Sequence, residues 1–144
     1  DTMHGNFHIF AVGSATSSGQ PTRPVVMSIP NSLTSGTSQL LPGEGSLRSV
    51  ERGGGDVLVA VGAKRVLGTN LASIFRSTDL GLTWTSIPVP STAKPLNKVI
   101  YQKSGWVAVG DNGTLLRSVD GLSWTLANPP AAGAASLRSI TTQP

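Results

Sequence analysis

Few residues in this chain could do chemistry, and their spacing sorts them into three kinds. Two carboxylates recur in one setting, Asp79 in "STDLGLTW" (77–84) and Asp120 in "SVDGLSW" (118–124). A short carboxylate followed by a glycine and a hydroxyl residue can accept hydrogen bonds from N–H groups of its own turn, and the glycine permits the positive φ a tight turn needs. Both stretches therefore predict self-satisfied hairpin tips rather than proton-transfer sites. Glycoside hydrolysis asks for two acids on opposite sides of one bond. Only seven acids exist, two of them in these tips; Glu44 sits in the turn "LPGEGS", Glu51 falls at a strand end, and Tyr101 is the single tyrosine. His4 and His8 have a spacing that would suit a metal on a helix, but Gly5 and the strand-like run after it read as surface or core histidines, and no metal site or cofactor is expected.

The elements that hold these residues follow from composition and period. At 144 residues the chain can bury one core, and 17 glycines, 10 prolines and only 12% charged residues describe short strands with many turns, hence an all-β fold. With no cysteine, neither disulfides nor thiolate metal ligation can support it. No apolar run reaches the roughly 18 residues of a membrane span, and "DTMHGNFHIF" has neither the basic nor the apolar region of a signal peptide; starting at Asp1, it reads as a processed or excised segment. A net charge of +4 raises nucleic acid as a partner, but the basic residues are scattered singly apart from Lys64-Arg65, with no basic run among aromatics, which argues against it.

Ala-Val-Gly occurs three times, at Ala11, Ala60 and Ala108. Each copy closes a short apolar run, and a related phrase, "LRSV" or "LNKV", precedes the second and third; "LRSI" stands near the end. After each comes a loop, a run, a tight turn and a further run. Four short strands repeated every 40 to 50 residues is the pattern of propeller blades. The expected units are approximately 1–46, 47–95 and 96–136, with 137–144 the first strand of a further blade. The first unit has no Asp-x-Gly and no tryptophan, and its run from Asn6 to Val12 matches a second strand, so Leu137 to Ile140 and Asn6 to Val12 read as two parts of a split blade.

Ser77, Asp79, Gly81, Thr83 and Trp84 fit the consensus Ser-x-Asp-x-Gly-x-Thr-Trp, and Ser118, Asp120, Gly121, Ser123 and Trp124 form a variant one residue shorter. On these motifs the chain, from about Leu47 to Ser139, resembles the bacterial and phage β-propellers of the Asp-box (BNR) family. The resemblance implies blades of four antiparallel strands, with the boxes serving folding on the outer rim away from the ligand face. About three blades cannot close a ring of the usual 4 to 8. Closure would come from a homo-oligomer, such as two chains giving six blades, or from the remainder of a larger propeller.

In such a blade the second-to-third and fourth-to-first loops share the face opposite the boxes. The expected ligand face therefore carries the loops Gly13 to Pro24 and Ala63 to Ala72, the segment Asp111 to Gly113 and the linkers "PVPSTAKP" and "NPPAAGAAS", with Lys64, Arg65, Asn70, Lys94, Asp111 and Asn112 as polar residues of reach; the seven-residue insertion that carries Lys64 and Arg65 reads as a binding edge or as a solvated hairpin without function. Asn112-Gly113-Thr114 fits a glycosylation sequon, but Asn-Gly is a favoured tight-turn pair, and the turn is the reading adopted. The function expected is a non-catalytic binding or assembly module, extracytoplasmic (secreted, periplasmic or virion-surface, for example tail-fibre-associated), presenting loops to a glycan or protein. The alternative is a sialidase-like glycoside hydrolase fragment.

Overall fold

A computed structural model describes residues 8–30, 35–103, 105–127 and 135–143. Their strands are β1 (His8–Ala15), β2 (Arg23–Pro30), β3 (Thr37–Leu40), β4 (Gly45–Arg52), β5 (Leu58–Val66), β6 (Thr69–Ser77), β7 (Thr85–Ile87), β8 (Leu96–Gln102), β9 (Gly105–Gly110), β10 (Leu115–Ser118) and β11 (Thr125–Ala127). They form three antiparallel meanders, β1-β2-β3, β4-β5-β6-β7 and β8-β9-β10-β11, referred to below as the first, second and third sheets. The protein is all-β, as its composition leads one to expect.

Strand alternation decides how the sheets stack. In the second sheet Val61 lies opposite Ile74, and Ile74 opposite Ile87, so these side chains share one face. That face packs with Leu96, Val99, Trp106, Ala108, Leu116 and Trp124 of the third sheet. Ala60 and Phe75, paired on the other face, pack with Val26, Leu41 and Val12 around the first sheet. The second sheet is thus covered on both sides, which is why Leu58 to Ala63 is a continuous buried run rather than an alternating one.

Backbone proximity explains the repeated Ala-Val-Gly. In the second sheet β4 carries a bulge, with Leu47 opposite Gly62, Ser49 opposite Val61 and Arg48 unpaired; in the third, Leu96 lies opposite Gly110, Lys98 opposite Val109, and Asn97 is unpaired. The bulge draws the inner strand onto the glycine. A Cβ on Gly62 would overlap the Ser46 carbonyl and stand 2.7 Å from Leu47 Cα; one on Gly110 would overlap the Pro95 carbonyl and stand 2.8 Å from Leu96 Cα. Only glycine fits there. Gly13, the third of the set, is different: a Cβ there would meet only Val25 Cγ1, at 3.9 Å, because no described strand lies on that side of β1.

Two segments depart from the sequence reading. Ala63 to Ala72, expected as a loop or a solvated hairpin, is the far end of a long hairpin whose strands β5 and β6 stay paired up to Val66 opposite Thr69, so the paired length exceeds the expectation. Its turn is Leu67-Gly68, both at positive φ (50° and 78°), the geometry of a two-residue hairpin turn. Leu137 to Ile140, expected as a first strand, has no ladder pairing; the Leu137 N–H donates to the Gly110 carbonyl at 2.9 Å and the Leu137 carbonyl accepts from Asn97 Nδ2 at 2.8 Å.

Forcing a methyl group against backbone is overpacking, which costs about 1–3 kcal/mol. Gly62→Ala and Gly110→Ala should each lower stability by about that much in urea unfolding, and an unchanged midpoint in both would refute the close crossing.

Candidate functional site

The carboxylate turns lie at one end of the second and third sheets. The loop between β6 and β7 folds around Asp79. Its Oδ1 accepts from the Ser77 hydroxyl at 2.8 Å and the Thr83 N–H at 2.9 Å, and its Oδ2 accepts from the Thr83 hydroxyl at 2.6 Å. Ser77 Oγ in turn accepts from the Gly81 N–H at 2.8 Å, and the Trp84 indole N–H donates to the Gly81 carbonyl at 3.1 Å. The shorter loop between β10 and β11 repeats the scheme: Asp120 Oδ1 accepts from the N–H groups of Leu122 (2.9 Å) and Ser123 (3.1 Å), Ser118 Oγ accepts from the Gly121 N–H (2.8 Å), and the Trp124 indole donates to the Gly121 carbonyl (3.0 Å). Every donor around each carboxylate belongs to its own loop, and the ring of Trp124 fills the core between the second and third sheets.

These bonds favour the charged carboxylate. The Thr83 hydroxyl, then the Thr83 N–H and the Ser77 hydroxyl, hold Asp79 at about 2 against an ordinary 3.8. The N–H groups of Leu122 and Ser123 lower Asp120 as well, with Ser118 adding to them and desolvation opposing. An acid held ionised by its own loop has no proton to give near neutrality. Its hydrogen bonds are spent within the loop.

The opposite end of the sheets gathers the other polar groups. Bulges redirect side chains and are common beside functional sites. Arg48, on the β4 bulge, donates from Nη1 to Asn97 Oδ1 at 2.7 Å, and Asn97, on the β8 bulge, donates from Nδ2 to Asp111 Oδ1 at 3.0 Å. Arg48 Nη1 also lies 3.9 Å from Asp111 Oδ2; both side chains are over a third exposed, so this ion pair adds little stability. The next group of residues adjoins it: Lys64, Arg65 and Asn70, from the paired ends of β5 and β6, line one open concavity with Arg48 and Glu44. Three cations against Glu44, with Asp111 at its border, leave this concavity net positive.

Of the residues expected on this face, the structure brings Lys64, Arg65 and Asn70 together and joins Asp111 to them through Arg48. Lys94 contributes its backbone, whose N–H donates to Thr114 Oγ1 at 3.2 Å. Asn112 is exposed on a turn closed by the Thr114 N–H bonded to the Asp111 carbonyl at 3.0 Å, with Asn112 and Gly113 both at positive φ. Arg48 and Asn97 escape a reading by residue type, since each stands in a strand-forming phrase and only the bulge turns it to this end. Their signal is positional, because both follow the leucine of the repeated "LRSV" and "LNKV".

Glu51 and Tyr101, the other candidates for hydrolytic chemistry, do not join this cluster. Glu51 lies near the other end of β4 from Arg48's concavity, and Tyr101 stands near the end of β8 with its ring 4.7 Å from that of Trp106. Among the described residues no cluster of three His, Cys, Asp or Glu could hold a metal. His8 stacks on Phe10, ring centroids 5.9 Å apart, while His4, Asn6 and Phe7 lie outside the described residues. No helix among the described residues is long and apolar enough to cross a membrane. Neither a family model nor a curated protein sequence matches the chain.

The depressed Asp79 value sets an acid limb with a definite sign. A carboxyl whose folded value is lowered stabilises the fold fully above its unfolded value and loses that contribution as pH falls through the folded one. The melting temperature should therefore drop between pH 3.8 and about 2, and Asp79→Asn should lower it at neutral pH while flattening this drop. Equal acid slopes in the two proteins would contradict the assignment.

Proposed function

We propose that the three sheets are successive blades of an Asp-box-type β-propeller, and that the chain is a non-catalytic binding or assembly module. Two observations support the blade reading. The second and third sheets repeat the same strand order, the same bulge and the same carboxylate turn, and the second sheet packs one apolar face on the first sheet and the other on the third. Completing a ring would need further copies or the rest of a larger propeller. An extracytoplasmic setting, secreted, periplasmic or on a virion surface such as a tail fibre, suits a cysteine-free binding domain of this type.

One observation carries the binding assignment: Arg48, Lys64, Arg65 and Asn70 converge on one open concavity, at the end away from the carboxylate turns. Guanidinium groups recognise carboxylates in a planar, two-point fashion that lysine does not match, while lysine adds a mobile charge. The concavity suits a glycan or a protein loop bearing a carboxylate. It is shallow and largely solvated, a form that fits recognition better than chemistry, which needs reacting groups sheltered from water. The competing hydrolase reading would require a second acid facing Glu44 across a bound sugar; Asp111, at the border, is engaged by Asn97 Nδ2 and lies beside Arg48, and Glu51 is at the other end of β4.

A glycan array containing sialylated and uronic acid glycans, run beside a panel of chromogenic glycosides, separates these readings. The protein should retain an acidic glycan or an acidic peptide and release no chromophore. Arg65→Ala and Lys64→Ala should each weaken retention at least several-fold while moving stability by no more than about 0.5 kcal/mol, as surface substitutions do. Hydrolysis of any glycoside, abolished by Glu44→Gln, would replace this reading with the enzymatic one.

A further inference from the structure

The first sheet is the incomplete one, and four features describe what is missing from it. Its strands correspond to the second, third and fourth strands of the other two sheets, since Ala11-Val12-Gly13 in β1 holds the place of Ala60-Val61-Gly62 in β5 and Ala108-Val109-Gly110 in β9. The inner edge of β1 is unpaired among the described residues. Gly13 keeps the glycine that the other sheets need only because a bulged inner strand crosses it, yet no described residue crosses it here.

The third feature is an uncovered apolar face. Val25, opposite Gly13 and Leu40, and Met27, opposite Ala11, share one side of the first sheet with Ile9. Ile9, Met27 and Leu40 are 46%, 41% and 48% exposed, whereas Leu58, Ala60 and Phe75, on the same side of the second sheet, are buried by the first. The fourth feature lies at the other end of the stack. On the second sheet, Arg76, Thr78, Thr83 and Thr85 form a surface touched by Leu122 of the third sheet. The corresponding Arg117, Val119, Ser123 and Thr125 of the third sheet line an open groove.

The segment that could complete the first sheet is in the chain. "LRSI", Leu137 to Ile140, repeats "LRSV" of β4, and Leu137 is tied to Gly110 and Asn97 at the inner edge of the third sheet, where the first strand of a following sheet would start. The second sheet lies between that segment and the open edge of β1, so among the described residues the pairing is one between two copies.

We propose that residues Leu137 to Thr142 of one copy add to β1 of a second copy as its missing inner strand, while the exposed face of the first sheet docks on the open groove of the third. The inference rests on the reading of the sheets as successive blades. The register follows from the two complete sheets. Leu137 lies opposite Gly13, Arg138 takes the bulge, Ser139 lies opposite Val12 and Ile140 opposite Ala11, matching Leu47, Arg48, Ser49 and Val50 on β5. Strand addition supplies backbone bonds to an open edge, and the alternate side chains set specificity. Ser139 gains a role by the same equivalence: Ser49 Oγ accepts the Val99 N–H at 3.2 Å from the next inner strand, and Ser139 Oγ would accept the Val50 N–H of the second copy. The contact joins two different surfaces, so it propagates head to tail and closes into a ring where the rotation permits.

Light scattering on the full chain should give two or more times 14.8 kDa. Gly13→Val should reduce it to single copies with an unchanged β circular dichroism spectrum, because its side chain meets only Val25 in the lone chain but blocks the incoming strand. The chain has no cysteine, so an Ala11→Cys, Ile140→Cys double variant should form disulfide-linked multimers on oxidation, and an Ala11→Cys, Ser139→Cys variant, with side chains on opposite faces, should not. A Val50→Cys, Ala60→Cys control should close within one chain. A monomer of 14.8 kDa at every concentration, multimers indifferent to Gly13→Val, or an Ala11→Cys, Ile140→Cys link formed inside one chain would overturn the proposal. Failure of the control would instead remove the blade reading beneath it.

Discussion

The close approach of two backbones at the glycine of Ala-Val-Gly organises most of what surrounds it. At Gly62 and Gly110 the inner strand runs so near its neighbour that no side chain fits between them. That proximity goes with the bulge one residue further along the inner strand, and the bulge turns Arg48 and Asn97 toward the end of the sheet where Lys64, Arg65, Asn70 and Asp111 gather. A packing requirement inside the sheet and the placement of the polar cluster at its end are thus one feature. Changing the glycine would disturb the cluster without touching any residue in it.

The carboxylate turns close the other end by a separate device. Each loop satisfies most of its N–H groups with its own serine and aspartate, the Leu80 N–H going instead to the Asp56 carbonyl at 3.1 Å, and the tryptophan that ends each loop enters the space between sheets. Local hydrogen bonding and long-range packing meet in eight residues or fewer. This division leaves the two ends of the molecule with different duties, one closed largely by local bonds and one open with its polar groups facing solvent.

Legibility in the sequence follows the same division. Asp79 and Asp120 could be assigned to turns because their partners lie within a few residues, and all-β architecture could be assigned because alternation and turn residues are local signals. The segment Ala63 to Ala72 was legible as two alternatives, a binding-edge loop or a solvated hairpin, because its tight turn uses Leu67 where Asn, Asp or Gly is usual and the local hairpin signal is weak. Arg48 and Asn97 were hidden for a different reason. A bulge is a fault of register between two strands, and no single strand records it. Leu137 to Ile140 shows the limit from the other side, since the phrase of a first strand is present while its ladder is not. A strand needs a partner edge, and sequence resemblance does not provide one.

That absent partner is the point on which the account stands most exposed. Hydrogen exchange of the backbone amides along β1, followed over a dilution series, addresses it directly. If a second copy supplies the inner strand, the amides from Phe10 to Gly13 that face the open edge should be protected at high concentration to a degree comparable with those of Ala60 to Gly62 and Ala108 to Gly110, and should lose that protection on dilution while the others keep theirs. Rapid exchange along that edge at every concentration, beside full protection of β5 and β9, would show that β1 remains an open edge and would contradict the account.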